Sequence, residues 1–305
     1  MISVIVATYN GELTLPLMLE ALCQVRKPSA GREFIFVDNA STDGSADLIR
    51  RYADRLPLTL LREERQGKNF AVSTGVAAAR GDLILFTDDD VIPDPEWLVH
   101  YEYAAEKQSD VCVFAGQVRH HWMKTPASWL EQLARDGLAF AGTPERRTAG
   151  PIQAVAIKGA NFLIRAPLFK DFEFNTAIGP TSSGAYAAGS ETEFLLRVES
   201  ANYTMQFIPE AKIKHIVRPD QMMLGAILKR YYRIGRGIEA TGVTTFHGDL
   251  KTIWGYPRFL YRKLALQLFR SFYHVLTGNK YQAVRVLMQV AVQCGRAEQW
   301  KCIRQ

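Results

Sequence analysis

The stretch LILFTDDDVIPDPEWL, residues 83–98, joins an apolar run to three consecutive aspartates. The apolar run is typical of a buried strand, and the prolines after it are typical of a turn that leads into a helix. Adjacent carboxylates repel one another, whereas an ordinary turn needs only one Asp. Asp88–Asp90 therefore indicate a site for a positively charged ligand, and an acidic turn before Pro93 is the alternative.

Strands and helices are predicted to alternate on both sides of this stretch. Strands are predicted at 3–7, 33–37, 58–62, 82–88 and 111–118, and helices at 68–80 and 95–108. This alternation predicts an α/β domain with a mostly parallel, doubly wound sheet. Ligands of such sheets bind beyond the carboxyl ends of the strands. Polar residues follow three of the predicted strands: Thr8, Tyr9 and Asn10; Asp38; and Asp88–Asp90.

The pattern is less regular from residue 120 onward. Residues 155–169 predict a strand, a glycine turn and a second strand. Residues 179–203 predict a loop rich in Gly, Ser and Ala, of the kind that closes over active sites, followed by a helix. Residues 204–217 predict a pair of strands that ends near His215.

Charge is distributed unevenly along the 305 residues. Residues 1–211 hold 20 Lys and Arg against 27 Asp and Glu, a balance of −7, whereas residues 212–305 hold 17 against 4, a balance of +13. A basic C-terminal third favours an anionic partner, either lipid headgroups or nucleic acid. Because no nucleic-acid-binding motif accompanies the charge, we expect no nucleic-acid partner, and a solvated basic face is the alternative.

Two C-terminal segments show the period of amphipathic helices. In 260–276 a polar stripe of Lys263, Gln267, Arg270 and His274 lies opposite Leu260, Leu264, Leu268, Phe272 and Leu276. In 281–296 the polar stripe is Gln282, Arg285, Gln289, Gln293 and Arg296, opposite Val284, Leu287, Met288 and Ala291. Such helices pack on a domain or lie in a membrane interface, and their one-sided charge favours the interface.

Cysteine spacing and the start of the chain favour a cytoplasmic protein. The four cysteines show no C-x-x-C spacing, which argues against a zinc site or a disulfide framework. The first residues, MISVIVATYN, lack the basic segment and the apolar core of a signal peptide. With the basic helices, this predicts peripheral attachment to the cytoplasmic face of the plasma membrane.

The aspartates at 88–90 match the ligand preferences of a divalent cation. An Asp-x-Asp pair offers hard oxygen ligands to Mg²⁺ or Mn²⁺, which bind carboxylate and phosphate oxygens together. Asp38 can accept a hydrogen bond from a base or a ribose, and Lys68 and Asn69 can reach phosphate or base. The chain lacks both G-x-x-x-x-G-K-[ST] and G-x-G-x-x-G, which excludes a P-loop and a dinucleotide fingerprint.

Four segments together resemble family 2 glycosyltransferases with the GT-A nucleotide-sugar fold: VIVATYNGELTLPLMLEAL, EFIFVDNASTDGSADLI, GKNFAVSTGVAAARGDLILFTDDDVIPDPEWL and GSETEFLLRV. The resemblance covers roughly residues 1–240. It implies an inverting transferase that uses a nucleotide-diphospho-sugar and Mg²⁺ or Mn²⁺ in the synthesis of a cell-surface polysaccharide or glycolipid. We expect a catalytic domain at 1–218, with a nucleotide-binding half at about 1–118 and an acceptor half at about 119–218, and a basic helical region at 219–305.

The resemblance implies a role for each residue of the nucleotide-binding half that matches a family motif. Thr8, Tyr9 and Glu12 match the loop that lines the nucleotide, and Asp38 matches the acidic residue that holds the base. Asn69 matches a polar residue before the third helix, and Lys68 stands where the family often has Arg. Asp88 and Asp90 match the metal-binding pair. Asp89, between them, is assigned to the nucleotide-sugar site, as a supporting or a sugar-facing residue.

Further positions resemble the acceptor and diphosphate sites. The GAN segment at 159–161 assigns Asn161 to the acceptor region, and FNTAIGP at 174–180 matches a family stretch with Asn175 in place of Asp. His215 matches a histidine near the diphosphate and metal, and a structural histidine is the alternative. In KRYYRIGRG, residues 229–237, a similar basic segment assigns Arg230, Arg233 and Arg236 to the donor diphosphate or to the phosphate of a lipid-linked acceptor. A nonspecific membrane patch is the alternative.

The segment GSETEF, residues 189–194, departs from the family pattern Gly-Glu-Asp-x-Glu. Ser190 replaces the Glu, and Glu191 replaces the Asp that acts as general base. Glu keeps the carboxylate and adds one methylene, so Glu191 is the first candidate for the base and Glu193 the second. The alternative is that both are acids favoured by a helix N-terminus.

Two other functions remain as alternatives to sugar transfer. A sugar-nucleotide-forming nucleotidyltransferase has a similar sheet but needs a Gly-rich basic N-terminal loop, which ATYNGELTL lacks. A catalytically degenerate binding protein of the same fold is the other alternative, because the base segment is altered.

Overall fold

A computed structural model describes residues 1–180, 186–242, 246 and 251–304. The chain divides into two compact units, which are described separately. The first unit comprises Met1–Met123, Ala134–Thr176 and Glu191–Val217. The second comprises Lys124–Leu133, Ala177–Ser190 and Arg218–Gln305. Residues 181–185 of the predicted lid-like loop lie outside the described residues.

The first half of the first unit is a parallel sheet covered by helices. In chain order its elements are β1 (Ile2–Thr8), α1 (Leu15–Gln24), β2 (Arg32–Asp38), α2 (Ser45–Arg50), β3 (Leu58–Arg62), α3 (Lys68–Ala78) and β4 (Leu83–Asp88). The strands lie in the order β3-β2-β1-β4, and each neighbouring pair is parallel. The alternation of strands and helices predicted for this half is confirmed.

Antiparallel strands extend the sheet beyond β4. The next elements are β5 (Val91–Pro93), α4 (Trp97–Lys107), β6 (Val111–Trp122), α5 (Ser128–Arg135), β7 (Gly150–Pro151), β8 (Asn161–Arg165), α6 (Ser190–Ser200) and β9 (Thr204–Val217). The sheet continues from β4 in the order β8-β6-β9-β5, and β7 also pairs with β9. β8 is antiparallel to β4 and β6, whereas β6 and β9 are parallel.

Two predictions for this half were wrong. Residues 155–169 form a single strand, β8, flanked by the 3₁₀ turns Ala154–Ala156 and Ala166–Lys170, rather than two strands. Residues 204–217 form one 14-residue strand rather than a pair. Its register against β6 shifts after Ile208, so Pro209 falls in an irregularity that needs no ladder hydrogen bond from it.

Strand register aligns the polar residues predicted at the sheet edge. Thr8 at the end of β1 pairs with Asp38 at the end of β2. Ala7 pairs with Asp88 at the end of β4, and Asp38 pairs with Arg62 at the end of β3. Because parallel strands that end in register present their following loops together, this edge is where a ligand would contact all four strands.

An aromatic cluster anchors α6 to one face of the sheet. Phe194 is fully buried and stacks on Phe174 with ring centroids 4.4 Å apart, and Phe174 contacts Phe86 of β4 edge-on at 5.4 Å. Aromatic burial of this size contributes strongly to a core. Since Phe194 lies one helical turn after Glu191, this packing fixes the start of α6.

The second unit contains three long helices: α7 (Leu224–Ala240), α8 (Arg258–Leu276) and α9 (Lys280–Arg304). Two short strands, β10 (Thr252–Ile253) and β11 (Tyr256–Pro257), pair before α8. α7 and α9 approach with backbones in contact, because a Cβ atom at Gly235 would lie 2.1 Å from the carbonyl oxygen of Val292. A buried carboxylate, Glu239, accepts a hydrogen bond from Arg296 across this contact.

The C-terminal helices form where predicted, but the predicted faces of α8 were wrong. Gln267 and His274, assigned to the polar stripe, lie on the half-buried side of α8, and the neighbouring Ser271 donates a hydrogen bond to the carbonyl of Ala283 in α9. Leu268, Phe272 and Leu276, assigned to the opposite apolar face together with the buried Leu260, are exposed. In the part of the chain that the structure describes, no helix is both long and apolar enough to cross a bilayer.

Candidate active site

Lys68, Asp88 and Glu191 converge at the carboxyl edge of the sheet. The Nζ atom of Lys68 lies 2.6 Å from Oδ1 of Asp88 and 2.5 Å from Oε1 of Glu191. All three side chains are partly buried. Burial alone would lower the pKa of Lys68, but the carboxylates of Asp88 and Glu191 outweigh it and hold that pKa above its usual range. Lys68 is therefore a fixed positive charge between two carboxylates.

Local structure explains how these side chains meet. Asp88 ends β4, Glu191 lies in the first turn of α6, and Lys68 is the first residue of α3. The residue before Lys68 is Gly67 with φ of +144°, a conformation that favours glycine. The amide of Gly67 donates a hydrogen bond of 2.8 Å to Oδ1 of Asn39. This contact fixes the backbone at the entry into α3, which begins at Lys68.

Gly159 leaves the space that Glu191 occupies. A Cβ atom at Gly159 would lie 2.7 Å from Cδ of Glu191 and 2.9 Å from its Oε1. The sequence GAN was matched to the acceptor region as a small-residue segment. The structure explains why a glycine is needed at position 159: the carboxylate of Glu191 lies too close for a larger residue.

Glu193, the second candidate for the base, is engaged elsewhere. Its Oε1 lies 2.7 Å from Nε of Arg197 and its Oε2 accepts a second hydrogen bond from the same guanidinium. Arg197 is four residues later on α6, so this is a pair within one helix. The geometry therefore favours Glu191 over Glu193 as the carboxylate that faces the site.

Asp90, which lies two residues after Asp88 in the sequence, contacts His215 of β9. Nε2 of His215 lies 3.3 Å from Oδ2 of Asp90, and the amide of Ile216 donates to the carbonyl of Asp90 at 2.7 Å. Nδ1 of His215 is buried and has no hydrogen-bond partner among the described residues. β9 thus holds Asp90 through both its backbone and a side chain.

These residues fit a divalent cation that a substrate completes, rather than one enclosed by protein. Within the described ranges, no three or more His, Cys, Asp and Glu side chains form a cluster able to hold a metal. Mg²⁺ commonly takes only one or two protein carboxylates and completes its shell with phosphate and water oxygens. Asp88 and Asp90 offer carboxylates of that kind, with the buried imidazole of His215 beside Asp90.

The half-buried Asp89 contacts the loop after β1. The backbone amide of Tyr9 donates to its carboxylate, and a Cβ atom at Gly11 would lie 2.5 Å from its Oδ2. Burial, followed by the charges of Asp90 and Asp88, raises the pKa of Asp89 to about 8. Asp89, the middle aspartate of the three, therefore connects the turn after β4 to the loop after β1.

The residues predicted to hold the nucleotide lie at the neighbouring strand ends. Asp38 is buried, forms an ion pair with Arg62 and accepts a hydrogen bond from the amide of Ser41. Asn69 is buried and donates to the carbonyl of Asn175 at 2.7 Å. Sequence reasoning did not assign Arg62, although its place at the end of a predicted strand next to Asp38 was a usable signal.

A hydrogen bond connects the loop after β1 to the loop after β2. Oε2 of Glu12 accepts a hydrogen bond from the amide of Gly44 at 3.1 Å. Thr8 is buried, and its hydroxyl has no hydrogen-bond partner among the described residues, whereas the Tyr9 side chain is exposed. The exposed Tyr9 side chain is therefore available to a ligand, whereas Thr8 is buried beneath the loop and Glu12 supports the loop.

Asn39 is a residue that sequence reasoning missed. Its side-chain amide donates to the carbonyls of Glu63 and Arg65, at 3.1 and 2.7 Å. With its acceptor bond from Gly67, it connects the end of β2, the loop after β3 and the start of α3. No motif pointed to it, because its partners are 24 to 28 residues away in sequence.

The prediction that Asn161 contacts acceptor or diphosphate was wrong. Asn161 is 0% exposed, and its Nδ2 donates to the carbonyls of Gln117 and Ala211. Its Oδ1 accepts from Nε1 of Trp97 at 2.8 Å and from the hydroxyl of Tyr101 at 2.9 Å. Every polar atom of the side chain is used inside the core, so none remains for a ligand.

The three arginines assigned to a phosphate lie on α7 of the second unit. Arg230 is exposed. The guanidinium of Arg233 lies 4.5 Å from the ring centroid of Tyr186, and Nε of Arg236 donates to Gln299 at 3.0 Å. Arg233 and Arg236 therefore also contribute to the packing of their own unit.

Comparisons with known proteins identify the family. The family model described as glycosyl transferase family 2 matches residues 3–172, more than half of the chain. The chain is similar to the glycosyltransferase AglE of Haloferax volcanii, 23% identical over 239 residues that cover 77% of this chain and 72% of that protein. It is also similar to an undecaprenyl-phosphate 4-deoxy-4-formamido-L-arabinose transferase of Photorhabdus laumondii, 32% identical over 114 residues. That match covers 36% of this chain and 35% of the relative.

A solved structure shares the fold. The mannosyltransferase PcManGT from Pyrobaculum calidifontis, in complex with GDP-Man and Mn²⁺, is 18% identical with a TM-score of 0.58. The match covers 99% of this chain and 78% of that one. This likeness confirms the predicted GT-A fold, and the comparisons favour glycosyl transfer over the nucleotidyltransferase and binding-protein alternatives. The chain belongs to glycosyl transferase family 2, and its activity is that of a glycosyltransferase.

Proposed function

We propose that this glycosyltransferase moves a sugar, with inversion, from a nucleotide-diphospho-sugar to an acceptor hydroxyl at the edge formed by β1, β2 and β4. The observation that supports the proposal is the convergence of Lys68, Asp88 and Glu191, which brings a cation close to the carboxylates proposed as metal ligand and as base. If these residues only formed polar turns at the ends of the strands, an ammonium group held between two carboxylates would not be needed there.

The donor is proposed to lie across the strand ends. Asp38, held by Arg62, is suited to accept a hydrogen bond from a base or ribose hydroxyl. Thr8, Tyr9 and Asn69 line the same edge, with Glu12 supporting the first loop and Asp89 connecting it to the β4 turn. Lys68 offers positive charge to the diphosphate.

Asp88 and Asp90, with His215 beside them, are the proposed residues for Mg²⁺ or Mn²⁺. Bound there, the cation would stabilise the negative charge that develops on the leaving nucleoside diphosphate. The solved complex of PcManGT with GDP-Man and Mn²⁺ supports a divalent cation in a protein of this fold.

Glu191 is the proposed general base. An acceptor hydroxyl must lose its proton as its oxygen attacks the anomeric carbon, while the bond from that carbon to the diphosphate oxygen breaks. The nearby ammonium of Lys68 favours the ionised form of the Glu191 carboxylate, which is the form that accepts the proton. A single displacement of this kind inverts the anomeric centre.

The acceptor is proposed to be a saccharide or a lipid-linked molecule used in cell-surface polysaccharide or glycolipid synthesis, at the cytoplasmic face of the plasma membrane. Similarity to an undecaprenyl-phosphate sugar transferase supports a lipid-linked acceptor. Arg230, Arg233 and Arg236 are the proposed contacts for a phosphate, either of that lipid or of the donor. The basic balance of residues 212–305 supports peripheral attachment to an anionic membrane.

A nucleotide-sugar screen tests the function. UDP-, GDP- and dTDP-sugars are added with and without Mn²⁺, and the melting temperature is measured, since a ligand that binds the native state raises it. We expect one nucleotide class to stabilise the protein in a Mn²⁺-dependent way and Asp90→Ala to remove that dependence. Positive hits are then followed by transfer or slow hydrolysis of the sugar. Failure of every nucleotide-sugar to bind would overturn the proposal.

A further inference from the structure

α8 presents an apolar face to solvent on the side away from α9. Phe269 and Leu276 are each 70% exposed, and Phe272 is 60% exposed. Leu266, Leu268, Tyr273 and Val275 are also at least half exposed. Soluble proteins rarely expose contiguous apolar surface of this extent without a partner for it.

The opposite side of α8 is already occupied within its own unit. Leu260 is buried, Ser271 donates a hydrogen bond to the carbonyl of Ala283, and Nε2 of Gln267 lies 3.3 Å from Oε1 of Gln289. These residues are seven and four positions apart, so they lie on one helix face, which contacts α9. Gln267 and Ser271 therefore face protein, whereas Phe269, Phe272, Leu276 and most other large apolar residues of α8 face outward.

The charges around the exposed face are of one sign. α8 contains no Asp or Glu, and Arg258, Arg262, Lys263 and Arg270 are all exposed on it. Across residues 251–304 there are ten Lys and Arg against one acidic residue, Glu298. An apolar helix face with cationic flanks complements an anionic lipid surface, because acyl chains take the apolar side chains and headgroups take the cations.

Aromatic residues lie near the start of the helix. Trp254, in the turn before α8, is 84% exposed, and its ring contacts Tyr261 edge-on at 6.0 Å. The hydroxyl of Tyr261 donates to the carbonyl of Ile253 at 2.8 Å, so this pair is held in place. Trp and Tyr are enriched at membrane–water interfaces, where an apolar ring and a polar tip both find partners.

We propose that the outward face of α8, centred on Phe269, Phe272 and Leu276, is the surface by which this protein lies on an anionic membrane. α9 does not share this role, since it packs on α7 and α8 and buries Val284 and Met288. The proposal rests on the peripheral membrane attachment stated under the proposed function and names the residues responsible. The proposed membrane surface does not depend on which nucleotide-sugar is the donor or on which residue is the general base.

Vesicle co-sedimentation with the full chain tests the surface. Vesicles are made of phosphatidylcholine alone or with about a third phosphatidylglycerol, an anionic lipid. We expect the wild type to bind the anionic vesicles, and Phe269→Gln/Phe272→Gln to bind them at least roughly tenfold more weakly, since two large apolar side chains are removed. Arg262→Gln/Lys263→Gln/Arg270→Gln should lose the preference for anionic lipid and its salt sensitivity.

The matched control is Tyr103→Gln/Val155→Gln, which replaces side chains that are 61% and 60% exposed in the first unit. This control should bind vesicles as the wild type does. Because all substituted side chains are exposed, melting temperatures should stay unchanged and exclude unfolding as the cause.

Three results would overturn the proposal. The first is wild-type protein that does not bind anionic vesicles, and the second is equal loss in the control. The third is a dimer that Phe269→Gln/Phe272→Gln converts to a monomer in light scattering without lipid, because a second copy would then cover this face. Nucleotide-sugar binding measured on the same variants keeps this outcome separate from the proposed function.

Discussion

The ammonium group of Lys68 lies 2.5 Å from the carboxylate of Glu191, and the same group contacts Asp88 at 2.6 Å. One cation therefore connects the proposed base to a proposed metal ligand. Whatever reaches Asp88 must share or displace Lys68, and this changes the charge next to Glu191. In the proposed mechanism, donor binding and proton removal are thus coupled through the side chain of Lys68.

Replacing Lys68 by Met tests this coupling. Without the ammonium, Mn²⁺ should bind several-fold more tightly in the absence of donor, since a like charge next to Asp88 is removed. Sugar transfer should nevertheless fall, because the diphosphate and Glu191 lose their cation. Isothermal titration with Mn²⁺ and a transfer assay measure the two effects, and Lys68→Arg keeps the charge as a control. Loss of both Mn²⁺ binding and activity would indicate a purely structural role.

Glu191→Gln should reduce turnover by at least about a hundredfold, since a positioned general base contributes that much. Nucleotide-sugar affinity should change little, because Gln keeps the size of the side chain. Glu193→Gln is the matched control, because Glu193 is paired with Arg197. We expect it to retain most of the activity. Near-normal transfer by Glu191→Gln would contradict the assignment of the base.

Gly159→Ala should displace the Glu191 carboxylate without unfolding the protein. The added Cβ would lie 2.7 Å from Cδ of Glu191, and the far end of that side chain can move aside. Misplacing a catalytic group by about 1 Å costs roughly a hundredfold in rate. Turnover and melting temperature are measured together. Gly225→Ala is the control, because a Cβ at Gly225 meets nothing within 4 Å; activity near wild type in Gly159→Ala would contradict the prediction.

The polar edge of the sheet could be predicted from the sequence because the patterns that indicate it are local. Each polar residue there follows a short apolar strand, and the ends of β1, β2 and β4 align in register. Glu191 is on a distant helix, so only the resemblance to a family motif connected it to Asp88. Lys68 was expected to face phosphate, and its contacts with both carboxylates depend on three loops meeting in space.

The burial of Asn161 and the orientation of α8 could not be predicted, because both depend on contacts between residues far apart in the sequence. The partners of Asn161 include Trp97 and Tyr101, which are 64 and 60 residues away, so its burial could not be inferred from GAN. On α8 the period of 3.6 predicted a helix, but it did not indicate which side meets α9. The structure shows that Ser271 lies on that side, where its hydroxyl donates a hydrogen bond to the carbonyl of Ala283.

The carboxylate of Glu63 predicts a specific acid sensitivity. Hydrogen bonds from Arg65, together with one from Thr74, lower the pKa of Glu63 to about 2 from its usual 4.5. A lowered pKa in the folded state stabilises the protein above pH 4.5, and this stabilisation is lost as pH falls from 4.5 toward 2. Glu63→Gln should therefore flatten the pH dependence of the urea midpoint in this window. Glu64→Gln, at a 75% exposed side chain, is the control, and equal curves for both variants would contradict the prediction.

Asn161→Ala separates a core role from a ligand contact. The substitution leaves the indole of Trp97, the hydroxyl of Tyr101 and two backbone carbonyls without their buried partner. Each unsatisfied buried group costs about 1–3 kcal/mol, so we expect a loss of roughly 4 kcal/mol or more. At about 2–4 °C per kcal/mol this lowers the melting temperature by at least about 8 °C.

Calorimetry measures the shift, with the exposed Gln153→Ala as a control that should leave the melting temperature unchanged. A variant that melts like the wild type but fails to transfer sugar would return Asn161 to the ligand site, because only a contact residue loses function without losing stability.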